Sequence, residues 1–418
     1  MCEVSKTVKD VVNKLRNNPV FYMSLGSKEL FHSNMLAFML ENEWINGLEE
    51  LFAPYNGTEK LNNYKVLTVL REKSHFDLII VFLPSNDYDA TIKDYNQTEI
   101  ADIFQNSGPK DELLLSTLKN NCKFVVVENK LKSITDKTQL EKYDEAIQNR
   151  IWLRVFKVAK KNDAIVLDTT NSTRYLMAPE VAFKEFRECP EWKHVHYEDI
   201  LRKLQAQGED KNPFKAKFIE HYAAFLENML ELTKDIEEKL DSPNDLAFPN
   251  RADIAELSKI RIHDFYEKFW FSVLLSKIKI SDKNVDKGSG YSNSSGLVEF
   301  QIKNDHHVVY GVQIQQSQFR LFVVPTGKCK REYSDEEIKD CCYGVLEIMK
   351  EKLGTSLDFS PKKKNPEDLH CYGEFKYKFI PLEKDISIEK LTEMINCALD
   401  AISQSPLKNL TAKAEEEK

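Results

Sequence analysis

The chain has 418 residues, 42% of them hydrophobic, 30% charged and 11% aromatic, and its 59 Lys and Arg against 67 Asp and Glu give a formal net charge of 59 − 67 = −8. The length predicts two domains, or three. The apolar content excludes a disordered chain, the 13 glycines exclude a collagen-like one, and the acidity excludes a protein that coats nucleic acid by bulk charge, while leaving room for one local basic groove.

In chain order, residues 1–9 are polar and lack the apolar core of a signal peptide. Residues 9–24 read as a helix, or a helix pair broken near Pro19. Residues 27–41 read as an amphipathic helix that Ser27 can cap, with Leu30, Met35, Leu36, Met39 and Leu40 on its buried face. A mixed apolar segment at 65–70 precedes residues 76–83 (FDLIIVFL), which have the profile of a buried strand. Residues 84–121 are polar and read as an insertion with one short helix around 111–119. Residues 123–128 (KFVVVE) predict a second buried strand, 135–150 a helix begun near Thr135 or Asp136, and 163–168 a third strand. A short fourth strand at 194–197 leads into a helix, and 213–234 predict a long helix with Phe214, Phe218, Tyr222, Phe225 and Met229 on one face.

Residues 236–254, charged and holding Pro243 and Pro249, read as a linker between an N-terminal domain (1–235) and an α+β domain (255–405). The second domain is predicted as a helix at 254–279, a Gly/Ser/Asn loop at 288–296, strands at 297–303, 307–315 and 318–325, a helix at 334–353, a strand at 374–380 and a helix at 387–403. Residues 406–418 form a polar tail. No run of about 18 apolar residues occurs, so no membrane span is expected. The eight cysteines contain no CxxC pair, which argues for reduced thiols in a cytoplasmic protein rather than a disulfide framework or a zinc site.

Chemistry concentrates at the end of the second strand, at Glu128-Asn129-Lys130. Side chains alternate along a strand, so Glu128 and Lys130 share a side and Asn129 points away. A wholly apolar strand that turns abruptly charged suggests a site, because unpaired charge is expensive to bury. Asp77 begins the preceding strand; if the two strands are neighbours, Asp77 and Glu128 converge on a hard oxygen site suited to Mg²⁺ or Mn²⁺, with Lys130 beside it to orient a water. The competing reading of an ExK tripeptide is a surface ion pair at a strand edge. Three further pairings favour a site. Glu29 and His32 are three apart on one helix, Arg71-Glu72 lie just before Asp77, and Gln139 and Tyr143 are four apart on the next helix.

With these in place the sequence resembles the PD-(D/E)XK nuclease superfamily, in particular a bacterial nuclease-like group. The resemblance rests on Glu29-Leu30-Phe31-His32-Ser33-Asn34-Met35-Leu36-Ala37, Arg71-Glu72, Phe76-Asp77-Leu78-Ile79-Ile80, Val127-Glu128-Asn129-Lys130 and Gln139-Leu140-Glu141-Lys142-Tyr143. It covers roughly residues 15–235 and implies a restriction-endonuclease-like α/β core with a central mixed sheet flanked by helices. It also implies a Mg²⁺- or Mn²⁺-dependent nuclease acting on DNA, in DNA processing or defence against foreign DNA. By this resemblance Asp77, Glu128 and the Asn129 carbonyl ligate the metal, Lys130 positions the water, and Glu29 serves through water or at a second metal. Gln139 and Tyr143 line the mouth and contact phosphate. Arg71 touches DNA or pairs with a carboxylate, and His32 is a site or a structural residue. No proline precedes Asp77, where His75-Phe76 stand, and the long spacer to Glu128 makes 84–121 an extra excursion or substrate-side flap.

Other signals read as background. His194 and His196 share a strand face but lie far from the carboxylates in sequence. The GSG within 288–296 lacks the Lys-Ser/Thr helix of a phosphate loop. Lys160-Lys161 and Lys362–Lys364 are solvated loops. Lys123, Lys130, Lys132 and Lys137 are expected to cluster round the site and attract phosphate, which makes Lys132 a substrate-binding candidate. The aromatic run at 265–271 is domain core, any exposed part being available as a homodimer face. The competing functional reading is a catalytically silent nucleic-acid-binding or scaffold protein that keeps the fold.

Overall fold

Two large β-sheets and a small two-stranded one (Tyr55–Asn56 with Glu59–Lys60) order the secondary structure in the computed structural model, which describes residues 3–25, 29–72, 76–95, 99–100, 117–118, 121–131, 137–148, 172–184, 191–208, 211–242, 246–282, 284–292, 295–303, 308–325, 334–360 and 368–404. Residues 9–233 form one unit, and Met1–Val8 with Lys234–Lys418 form the other.

The chain opens with helices α1 (Lys6–Arg16) and α2 (Pro19–Ser24). The break between them has a local cause: Asn18 Oδ1 accepts from Val20 N (2.9 Å) and Phe21 N (3.2 Å), capping α2, and Pro19 takes the first helical position, where a missing N–H costs nothing. Helix α3 (Glu29–Glu41) follows. Then come β1 (Tyr64–Arg71), β2 (Leu78–Pro84), α4 (Ser85–Asp94), β3 (Lys123–Asn129) and α5 (Lys137–Gln148), followed by β4 (Thr173–Ala178), β5 (Trp192–His196), α6 (Tyr197–Gln205) and α7 (Pro213–Leu240). The strands stand in the order β1-β2-β3-β4-β5; β1, β2 and β3 pair antiparallel, β3, β4 and β5 parallel. This mixed sheet flanked by helices is the restriction-endonuclease-like α/β arrangement that the resemblance implies. Strands β2 and β3 read as continuous apolar runs because they are covered on both faces: every residue from Leu78 to Leu83 is at most 1% exposed.

The predicted strand at 163–168 lies outside the described residues. The strand beside β3 is β4 (TRYLMA), whose charge hid it. Its Arg174 is buried because Asp144 of α5 meets the guanidinium at 3.0 Å. The helix expected around 111–119 is described only at 117–118, and the excursion after β2 begins at once as α4, where a loop was expected. Ser85 fixes that start, its N and Oγ both donating to Asn63 O (2.8 and 2.9 Å). Finally, the stretch expected as a linker at 236–254 is helical at both ends. Helix α7 runs to Leu240 across the division between units, and α8 (Arg251–Ser258) starts before residue 254. The charges there are paired: Lys239 meets Asp235 at 2.7 Å and Asp253 at 3.0 Å.

The second unit continues with α9 (His263–Lys277), β6 (Val285–Ser292), β7 (Ser295–Lys303), β8 (Val308–Gln315), β9 (Gln318–Pro325), α10 (Asp335–Leu353), β10 (His370–Tyr372), β11 (Phe375–Pro381) and α11 (Ile388–Gln404). Its six strands are all antiparallel, ordered β10-β11-β9-β8-β7-β6. The expected loop at 288–296 is the β6–β7 hairpin, a polar, glycine-bearing edge strand that composition disguised. Val298, Phe300, Val312, Ile314, Phe319 and Leu321 bury one sheet face. Arg320 lies on the other, among Gln313, Gln315 and Gln318. The chain's first residues belong to this unit, with Ser5 N donating to Asp253 Oδ1 at 2.7 Å. Phe265, Tyr266, Phe269, Trp270 and Phe271 are all at most 3% exposed, so the aromatic helix offers no exposed part as the expected dimer face. Among the described residues no helix is long and apolar enough to cross a membrane.

Candidate functional site

The pairing of β2 with β3 sets Leu78 opposite Val127, so Asp77 and Glu128 occupy the next rung at one sheet end. Asp77 Oδ2 accepts the Asn129 backbone N–H at 2.7 Å, which draws its carboxylate onto the Glu128-Asn129-Lys130 segment. Glu72, at a left-handed φ of 49°, donates its N–H to Asp77 O at 3.2 Å and so holds Asp77 at this sheet end. The ladder runs one step past β3, Lys130 N donating to Met177 O at 2.8 Å.

Alternation along β3 sorts the three side chains. Glu128 Oε1 and Lys130 Nζ stand 2.7 Å apart, with the two side chains 2% and 10% exposed. The reading of ExK as a surface pair at a strand edge is thereby corrected: the pair is buried and belongs to the central strand. Gln139 Nε2 donates to Glu128 Oε1 (3.2 Å) and to Tyr143 Oη (2.8 Å), so the four-residue spacing on α5 joins the two side chains and brings Gln139 to the carboxylate. Burial, and next the charge of Glu128, push the Tyr143 phenol up, while the hydrogen bond from Gln139 opposes them. The Tyr143 ring rests on Phe76, with centroids 5.1 Å apart. Asn129 faces the opposite way, where Tyr197 Oη donates to its Oδ1 (2.6 Å) and its Nδ2 donates to Ser33 Oγ (2.9 Å).

The other candidates fall in different places. Glu29 opens α3, but its side chain, with the second-metal role expected of it, lies outside what is described, as does Lys132. His32 is fully buried, its ring stacked on Phe225 at 5.2 Å and its Nδ1 3.3 Å from Tyr222 Oη, so it is a core histidine. Arg71 is exposed at the same sheet end, and its guanidinium donates to Asn34 Oδ1 at 3.3 Å rather than to a carboxylate. Lys123 is corrected: it begins β3 opposite Phe82, six residues and roughly 20 Å from the charged end, so it does not join a lysine cluster there. Lys137 has no described side chain. Ser33 and Tyr197 escaped the sequence reading; their partner Asn129 is 96 and 68 residues away, so no local spacing reports them.

Two carboxylates, one ammonium and the Asn129 carbonyl thus gather at one strand end. The donor set is all oxygen, which fits a hard divalent cation. Among the described residues no cluster of three or more His, Cys, Asp or Glu has metal-holding geometry, and that includes the surroundings of His194 and His196. Residues 19–224 match the family model described as PD-(D/E)XK nuclease superfamily. No curated protein and no solved structure matches the chain.

Proposed function

The chain belongs, through residues 19–224, to the PD-(D/E)XK nuclease superfamily, and on that premise we propose that it is a metal-dependent deoxyribonuclease that hydrolyses phosphodiester bonds, acting in the cytoplasm in DNA processing or defence. The observation that carries the reading is the meeting of Asp77 with the Glu128-Asn129-Lys130 strand end. Mg²⁺ or Mn²⁺ held by Asp77, Glu128 and the Asn129 carbonyl supplies a Lewis acid that stabilises charge on the attacked phosphate. Lys130 donates to the attacking water and directs its lone pair at phosphorus. The water oxygen bonds to phosphorus as the P–O bond to the leaving sugar oxygen breaks; the water gives up a proton to solvent, and the leaving oxygen takes one from solvent to become a hydroxyl. Gln139 holds Glu128 Oε1 in place, and Tyr143, kept protonated by burial and by the charge of Glu128, donates to a phosphate oxygen.

The test is cleavage of plasmid and linear DNA by the full chain with Mg²⁺, alongside calorimetric titration with Mn²⁺. Metal binding with cleavage supports the reading. Metal-independent retention of DNA without cleavage would replace it with a silent DNA-binding scaffold, and neither binding nor cleavage rejects both.

A further inference from the structure

Asn129 is the one residue of the charged strand end whose side chain takes no part in the site. It is fully buried, and its two partners, Ser33 on α3 and Tyr197 at the start of α6, are each 1% exposed. We infer that Tyr197 and Ser33 are positioning residues for the nuclease site, acting through the Asn129 amide. The inference rests on the nuclease reading above.

The reasoning is geometric. Asn129 sits between Glu128 and Lys130, and its backbone N–H holds the Asp77 carboxylate at 2.7 Å. Fixing the Asn129 side chain toward α3 and α6 obliges Glu128 and Lys130 to project to the opposite side. The same constraint aims the N–H at Asp77 and fixes the direction of the carbonyl. One amide therefore orients both carboxylates, the ammonium and the remaining oxygen donor.

Packing alone does not call for this residue. Val125 and Val127 precede Asn129 on the same side of β3 and are fully buried and apolar. A third aliphatic residue would fill the space without the desolvation cost of an amide and two hydroxyls. What the polar trio adds is direction: Tyr197 Oη can meet Oδ1 at 2.6 Å, and Nδ2 can meet Ser33 Oγ at 2.9 Å, in one rotamer of Asn129. The clamp is itself braced. The Tyr197 ring meets His32 edge-on at 6.3 Å and 83°, and His32, the neighbour of Ser33, is stacked on Phe225. His32 thereby acquires a part in the site that its distance from the carboxylates conceals.

The test measures Mn²⁺ affinity of the full chain by calorimetry without nucleic acid, thermal stability, and the Mn²⁺ concentration giving half-maximal DNA cleavage. Tyr197→Phe and Ser33→Ala should each weaken Mn²⁺ binding about 10-fold, and Asn129→Leu by up to about 100-fold, the scale at which residues that orient ligands act. The half-maximal Mn²⁺ concentration should rise in parallel, and Ser33→Thr, which keeps the hydroxyl, should retain wild-type affinity. A lowered melting temperature with unchanged Mn²⁺ affinity in both Tyr197→Phe and Ser33→Ala would show a merely structural trio and overturn the inference, while wild-type binding and cleavage left the nuclease reading standing. Should Asn129→Leu fail to fold, those two milder variants decide. A wild-type chain that binds no Mn²⁺ overturns the nuclease reading and this inference with it.

Discussion

Both sheets bury polar groups, and they do so in opposite ways. On the C-terminal sheet Arg320 donates to the side-chain carbonyls of Gln313, Gln315 and Gln318, and the Tyr377 ring lies 4.7 Å from its guanidinium. Gln313 in turn donates to Glu299 at 2.7 Å, and Gln301 donates to the other carboxylate oxygen of Glu299. Donors and acceptors there answer one another across three strands, which is how a structural polar network is expected to look. At the end of β3 the described side chains balance differently: the half-buried Asp77 and the buried Glu128 stand beside one described ammonium, that of Lys130. A matched buried network stabilises a fold, whereas carboxylates gathered at a partly open strand end suit a cation.

The comparison breaks most visibly if this charged strand end proves idle. Asp77→Ala or Lys130→Ala should reduce Mg²⁺-dependent DNA cleavage by about 10²–10³-fold or more, the scale for loss of one charge-stabilising group at a reacting centre, with the far-UV circular dichroism unchanged. Full cleavage by either variant would put the site elsewhere.

The matched network yields the next effect. Arg320→Leu leaves three glutamine carbonyls without their donor and should cost about 3 kcal/mol in denaturant unfolding, while Mn²⁺ affinity stays at the wild-type value. A change in metal affinity would erase the distinction between the sheets.

A third measurement sharpens the contrast, because the C-terminal unit holds one acid that is not matched. Glu267 on α9 is 9% exposed, and its Oε2 has no hydrogen-bond partner among the described residues. Burial first, and the neighbouring Asp264 second, push its carboxyl up to about 7. Because the folded value exceeds the unfolded one, the folded state holds the proton more tightly. Stability is therefore full below the unfolded pKa of about 4.5 and declines as pH rises through 7. The loss should be about 2–3 kcal/mol between pH 5 and pH 8, and Glu267→Gln should flatten it in melting curves across that range. The smallest effect belongs to Arg71→Ala, whose exposed contact with Asn34 should be worth under about 0.5 kcal/mol of stability.

The sequence showed the parts of this molecule whose causes are local. The apolar runs at 78–83 and 124–127 announced β2 and β3, and the abrupt change at Glu128 marked a candidate site, because charge is expensive to bury. The four-residue step from Gln139 to Tyr143 was legible for the same reason. What stayed hidden depends on distant partners. Strand β4 reads poorly because Arg174 interrupts it, and the neutralising Asp144 lies 30 residues earlier. The edge strand β6 (VDKGSGYS) carries the composition of a loop and is held by its pairing with β7. The Asn129 clamp closes over 68 and 96 residues and leaves no periodic trace.

The membership of the two units bears on how the chain emerges during synthesis. Residues 9–233 are one uninterrupted stretch, so the N-terminal unit has all its own residues once position 233 has left the ribosome. The other unit is split: its segment Met1–Val8 precedes that stretch, yet Ser5 bonds to Asp253, 248 residues later. Met1–Val8 therefore waits for Asp253 while residues 9–233 are made. Vectorial folding of this kind favours the domain completed first, so the strand end that carries Asp77, Glu128 and Lys130 would be assembled before the sheet of the second unit exists.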